Sequence, residues 1–312
     1  MTMSMAASAS VGSTRKSAPR PRLAIGIIGV GRVGSVLGAA LAGVGHAVVA
    51  ASVGSDASRE RAARMLPGVP LVAPTEVLRR SDVVLLAVPD DALAGLVEGL
   101  AASGAIRAGS LVVHTSGRFG LGALAASTRW GASPLALHPV MTFPGSAADL
   151  PRLSGASFGV TAPVELRPVA DALVIELGAE PVWVTEDARE LYHAALAHGA
   201  NHLVTLVNST SDLLRAAGVE APARMLAPLL GAAMDNALRA GDAALTGPVA
   251  RGDVGTVVAH LTALTRAAPH LLPLYLTLAR ATADRALAGH ILGPSQAETL
   301  LDVLANPDGA RA

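Results

Sequence analysis

The chain of 312 residues contains no cysteine, only one lysine, Lys16, and no excess of charge of either sign, since 24 basic and 24 acidic residues cancel. Without cysteine there are no disulfides, no thiolate nucleophile and no Cys-ligated metal. A net charge of zero gives no basic surface for nucleic acid or an anionic membrane. The leading segment 1–22 carries Arg15, Lys16, Arg20 and Arg22 among Ser and Ala but lacks an apolar h-region, so it reads as a disordered tail and not as a signal peptide. A cytoplasmic location is expected. Residues 33–55 hold no formally charged side chain and are long enough for a membrane span, which needs about 20 apolar residues. Gly38, Gly43, Gly45 and His46 break that stretch into a helix and a strand, so no membrane partner is expected.

What the sequence does contain is a glycine turn in a telling place. Gly29-Val30-Gly31-Arg32-Val33-Gly34 follows the apolar run 23–28 and opens into the helical segment 35–41. In a strand, turn and helix of this kind Gly29 makes the tight turn and Gly31 lets the backbone approach a pyrophosphate. Gly34 brings the helix close to the strand. The helix start then offers unpaired N–H groups to phosphates. His46–Ser52 reads as the second strand, and Ser52 stands where an NAD site usually carries Asp or Glu for the ribose 2′-OH. Ser55, Arg59, Arg61 and Arg64 follow, hydroxyls and guanidiniums suited to a 2′-phosphate. NADP(H) is therefore favoured and, with Asp56 nearby, NAD(H) remains possible.

The first half alternates apolar strands with helical segments, Val83–Val88 as a fourth strand, Ser110–His114 as a fifth and Pro134–His138 continuing the series. This is the rhythm of a doubly wound α/β sheet. Ser157–Thr161 and Pro181–Thr185 are short additional strands. After Glu186 the segments 187–217, 222–240, 256–266 and 269–288 have helical spacing. The expected organisation is a tail at 1–22, a Rossmann domain at 23–150, connecting strands at 151–186 and an all-helical domain at 187–312. Runs such as Leu226-Ala227-Pro228-Leu229-Leu230 and Leu271–Leu276 exceed one amphipathic stripe, so this second domain is expected to form a homodimer.

The glycine fingerprint joins further motifs: Ala87-Val88-Pro89-Asp90, His114-Thr115-Ser116-Gly117, His138-Pro139 with Thr142-Phe143, Tyr192-His193 with Asn201, and the run 246–253. Together they resemble the Rossmann-like bacterial oxidoreductases whose C-terminal half was catalogued as a domain of unknown function. That family is related in architecture to 6-phosphogluconate dehydrogenase, pyrroline-5-carboxylate reductase and ketopantoate reductase. The resemblance implies an NAD(P)-linked reductase with a helical, 6-phosphogluconate-dehydrogenase-like substrate and dimerisation domain. It also implies cofactor contacts from Val88, Pro89, Thr115 and Ser116.

Related dehydrogenases often use a lysine of the long helix as proton donor, and Lys16 in the tail cannot serve. His193 is the first candidate in its place, because an imidazole gives a proton near neutral pH. Asn201, eight residues on, shares its helix face. The alternative for His193 is a satisfied core histidine. His198 and His202 are read as buried or interface residues; no third ligand accompanies them and no metal is expected. His138 and His114 end strands at the edge where such sheets bind ligands, either orienting substrate or capping their own loops. Arg251 can hold a substrate carboxylate, or else it belongs to a helix start that Asp253 caps through Thr256. Two classes of function follow. One is reduction of a small carbonyl or imine acid, with ketopantoate as first substrate. The other is a dinucleotide-binding sensor without turnover.

Overall fold

The computed structural model describes residues 22–306; apart from Arg22, the expected tail lies outside them. The chain forms two compact units, Met1–Ala197 and His198–Ala312. The first is an α/β unit around a seven-stranded sheet in the order β2-β1-β3-β4-β5-β6-β7. Its strands are β1 (Ala24–Ile28), β2 (Ala47–Ser52), β3 (Val83–Leu86), β4 (Leu111–His114), β5 (Ser133–Pro139), β6 (Ser157–Thr161) and β7 (Glu180–Trp183). Pairing is parallel from β2 through β5, antiparallel at β5 and β6, and parallel again at β6 and β7. All four residues of β3 are buried, as a central strand covered by helices on both faces requires.

Val83–Leu86 is thus the third strand and not the fourth. The place of the missing strand is held by a short stretch around Leu71, which makes only an isolated bridge to Ala51. The segments 157–161 and 180–183 likewise do not link two domains. They complete the sheet of the first.

Helix α1 (Arg32–Gly43) turns Val36, Leu37 and Leu41 inward. Gly38 lets it lie on β1, for a Cβ there would stand 2.2 Å from the Ile27 side chain. Helices α2 (Asp56–Met65), α3 (Pro74–Arg80), α4 (Asp90–Ala102) and α5 (Arg167–Glu176) complete the cover. The long α6 (Arg189–Ala216) carries the chain past the boundary between the units. That boundary falls about two turns into α6 and not at 186–187, because Arg189 and Tyr192 are bonded to the sheet.

In the second unit α7 (Pro222–Ala240), α8 (Val254–Ala267), α9 (Leu272–Ala288) and α10 (Pro294–Ala305) follow α6. Val257 and Leu261 of α8, Ala279, Ala283 and Ala286 of α9, and Ala297, Leu300 and Leu304 of α10 make one core. The small alanines of α9 let its neighbours approach closely. No helix among the described residues is long and apolar enough to cross a membrane.

Candidate functional site

The connection from β2 crosses β1 to reach β3, so the strand order reverses beside β1. In an open α/β sheet a crevice forms at that point, outside the carboxyl ends of the strands. The glycine turn stands there, and each glycine has a separate reason. Gly29 has φ +93°, and a Cβ on it would meet the Ala87 carbonyl oxygen at 2.5 Å. A Cβ on Gly34 would stand 2.1 Å from the Gly29 oxygen, so helix and turn could not close. Gly31, the residue before α1, is different. Among the described residues its Cβ would meet only the Ala87 oxygen, at 4.0 Å, and the bare backbone faces open space that a larger side chain would fill. A cradle of this kind fits a dinucleotide pyrophosphate.

The other residues of the turn divide by burial. Val30 is wholly in the core, and its carbonyl accepts a hydrogen bond from Arg61 at 3.3 Å. Val33 is half-buried against the sheet, while the Arg32 side chain is exposed. Gly145, with φ +86°, brings the loop after β5 against Arg32, and the buried Asp149 holds that loop by accepting from Gly145 and Ser146 N–H at 2.7 and 3.1 Å. Ser52 is buried at the end of β2, where its carbonyl accepts from Gly29 N–H at 3.0 Å. The Ser55 hydroxyl caps α2 by accepting from Ser58 N–H at 3.2 Å, and Arg59 is exposed. Val88 packs beside Gly29, and Pro89 precedes α4.

His114 resolves toward the structural reading. Its Nε2 donates to the Gly120 carbonyl at 2.9 Å and its Nδ1 accepts from Ser116 N–H at 3.2 Å. Both nitrogens are occupied, and burial pushes its pKa down to about 4, so a neutral imidazole braces the 115–120 loop. Glu186 braces the same loop from outside, accepting from Leu121 and Gly122 N–H at 2.6 and 2.9 Å. In this loop the Ser116 hydroxyl accepts from Phe119 N–H at 3.1 Å, whereas Thr115 is half-buried.

His138 and His193 come together. Their ring centroids are 6.2 Å apart, edge to face, and both press on the bare backbone of Gly117. A Cβ there would stand 2.8 Å from His138 Nε2 and 2.8 Å from His193 Cδ2. Tyr192 completes the cluster through its hydroxyl, 2.8 Å from His138 Nδ1. Burial first, then the charges of Arg189 and His193, push the His138 pKa down to about 4.

Arg189 is the element that sequence reasoning missed. It is 1% exposed, yet among the described residues no carboxylate pairs directly with its guanidinium, although the Glu186 charge acts on it from farther off. Instead it donates to Thr161 Oγ1 at 2.8 Å and to the carbonyls of Ser116, Ala136 and Gly159 at 3.2, 3.1 and 2.9 Å. One buried cation thereby ties the first turn of α6 to the loop after β4 and to strands β5 and β6. The signal was its spacing: Arg189, Tyr192, His193 and Leu196 recur at helical intervals on one face.

The remaining candidates lie in the second unit. Asn201 and Arg251 are exposed, and neither makes a side-chain hydrogen bond among the described residues. Asp253 caps α8 as expected, accepting from Thr256 N–H at 3.0 Å. His198 and His202 are exposed and not buried, with their Nδ1 atoms 3.2 Å apart.

Residues 9–139 match the family model of the Rossmann-like domain, and residues 156–282 match that of a domain of unknown function, DUF2520. No curated protein matches the chain in sequence. Several solved structures share its fold. One is a provisionally assigned NADP oxidoreductase from Bacteroides fragilis, with 20% identity over 84% of this chain and 98% of that one and a TM-score of 0.69. Another is the Plasmodium falciparum pyrroline carboxylate reductase with NADP bound, with 13% identity, coverage of 85% and 97%, and a TM-score of 0.54. A third is the imine reductase of Streptomyces aurantiacus, with 19% identity, coverage of 91% and 93%, and a TM-score of 0.55. At these identities the likeness establishes the fold. The chain belongs to the family in which a Rossmann-like domain is followed by a DUF2520 domain.

Proposed function

We propose that the protein is an NAD(P)-dependent oxidoreductase that reduces a small carbonyl or imine acid, with NADPH favoured over NADH. The observation that carries the reading is the open cradle at Gly31, on the same sheet edge as the imidazole pair at Gly117. Backbone N–H groups of Val30 to Gly34, at the turn and the start of α1, would hold the pyrophosphate. Ser55 and Arg59, after Ser52, would receive a ribose 2′-phosphate. The nicotinamide, when bound, supplies the hydride. His193 would give the proton to the developing alkoxide or amine, and His138 would orient the group that receives it. Asn201 is assigned to the substrate heteroatom and Arg251 to a substrate carboxylate, both from the sequence.

The solved structures described as an NADP oxidoreductase, a pyrroline carboxylate reductase and an imine reductase support this class of chemistry. The family resemblance makes ketopantoate the first substrate to try. A homodimer belongs to the reading, because Met225, Leu229, Met234 and Leu238 are all more than half exposed along α7. The test is oxidation of NADPH, followed by absorbance, with ketopantoate first and a cyclic imine carboxylate second. Binding of NADPH without oxidation by any carbonyl or imine acid would favour the sensor instead.

A further inference from the structure

His138 has two ring nitrogens, and among the described residues the protein bonds one of them. Nδ1 lies 2.8 Å from the Tyr192 hydroxyl, while Nε2 meets no hydrogen-bonding group of the protein. The direction of the Nδ1 bond follows from counting protons. The Tyr192 hydroxyl has no second partner among the described residues, and it is pressed against β6, where a Cβ on Gly159 would stand 2.3 Å from its oxygen. Were Nδ1 to carry the ring proton, the tyrosine would accept it and leave its own O–H without a protein acceptor in the half-buried contact with β6. An unpaired donor there costs free energy that the reverse direction of the same bond avoids. With the tyrosine donating, each of these protons has a place, and the imidazole hydrogen falls on Nε2.

We propose that Tyr192 is a positioning residue that locks His138 in the Nε2–H tautomer, so that the neutral imidazole donates a hydrogen bond to the reacting oxygen or nitrogen while the transferred proton comes from elsewhere. Nε2 and the His193 ring converge on the same bare Gly117 backbone, which places two imidazoles with different tasks side by side. Burial raises the Tyr192 pKa above that of a free phenol, so its O–H is kept across the neutral range. The hydrogen bonds of the Arg189 guanidinium among the described residues all go to other oxygens, so it acts on His138 through its field, which opposes a second cation. The catalytic half of the proposal rests on the reductase reading. The tautomer half rests on the hydrogen bond alone.

The test is 15N NMR of the ring nitrogens in the full chain at neutral pH, with the His138 signals assigned by their loss in His138→Asn. The expected spectrum has a protonated Nε2 and an unprotonated Nδ1, and Tyr192→Phe is expected to give a mixture of tautomers. That variant keeps the ring beside Arg189 and in the Gly159 notch. Its kcat should fall on the order of tenfold at unchanged NADPH affinity, less than the roughly 10² to 10³ for removing the donor in His138→Asn. A protonated Nδ1 or an imidazolium in the wild type overturns the proposal, as does an unchanged tautomer ratio in Tyr192→Phe. The assigned wild-type spectrum decides even where Tyr192→Phe does not fold. The expected spectra without reduction of any carbonyl or imine acid would end the reductase reading and leave the role of Tyr192 as the holder of the tautomer.

Discussion

Gly31→Val separates binding from folding, because the three glycines of the turn face different surroundings. At Gly31 the backbone is extended, with φ −75° and ψ −160°, a conformation open to any L-residue. Its Cβ would meet no atom closer than 4.0 Å. Folding then loses at most a slightly better helix cap and gains from the stiffer unfolded chain, each worth less than about 1 kcal/mol. The melting temperature should therefore move by no more than about 2–4 °C. At Gly34 the same kind of change drives a methyl to 2.1 Å from the Gly29 oxygen, and Gly34→Ala should cost about 1–3 kcal/mol of stability. Binding should show the reverse order. A valine at 31 fills the space meant for the pyrophosphate, so NADPH affinity should fall by roughly 100-fold or more, about 2.7 kcal/mol. Thermal unfolding and calorimetric titration at one salt concentration read the two effects separately. Wild-type NADPH affinity in Gly31→Val would reduce the fingerprint to a packing turn, and an unfolded Gly31→Val would refute the open space.

Further outcomes are expected in binding, kinetics, assembly and pH dependence. Wild-type protein should bind NADPH more tightly than NADH in a calorimetric titration, and equal affinities would remove the 2′-phosphate argument from Ser52, Ser55 and Arg59. His193→Ala should lower turnover by roughly 10² to 10⁴ at nearly unchanged NADPH affinity. Arg251→Ala should mainly raise the KM for an acidic substrate. Steady-state kinetics showing the opposite pattern would exchange their roles. Sedimentation should report a dimer, which Leu229→Asp and Leu238→Asp on the exposed stripe of α7 should weaken; a monomer independent of concentration counts against it. Stability should depend on pH through His114 and His138. Both have folded pKa values near 4 against 6.5 unfolded, so the unfolded chain binds more protons between those values. Their contribution is fully present above about pH 6.5 and is lost as pH falls through about 4. Denaturant titrations from pH 7 to 4 should show a shallower loss in His138→Asn than in the wild type.

The glycine turn was legible because its residues carry their own reasons: positive φ, close approach and open space each select glycine, and the flanking apolar run gives the strand. The Asp253 cap was legible for the same cause, since donor and acceptor lie three residues apart. The α10 helix was equally open to reading, with Pro294 at its start and Ala297, Leu300 and Leu304 on one face, though it went unread. The vestigial third strand was not legible, because an apolar segment such as 69–72 looks the same whether it makes one bridge or a ladder.

Arg189 marks the limit most clearly. Its acceptors lie 28 to 73 positions away, and three of the four are backbone carbonyls, which every residue possesses and no sequence advertises. A buried guanidinium normally points to a carboxylate partner. Here, among the described residues, the carbonyl groups of two strands and a loop take that place, with no direct ion pair to cancel the charge. That remaining field opposes protonation of His138, so an arginine that touches neither imidazole nitrogen helps keep the residue at the β5 edge neutral. Arg189→Met would leave four acceptors short of a donor and should cost about 2–4 kcal/mol of stability, yet it should also raise the His138 pKa. A variant that still folds and titrates His138 at the wild-type pKa in NMR would show that burial alone, and not the guanidinium, sets the charge of this imidazole.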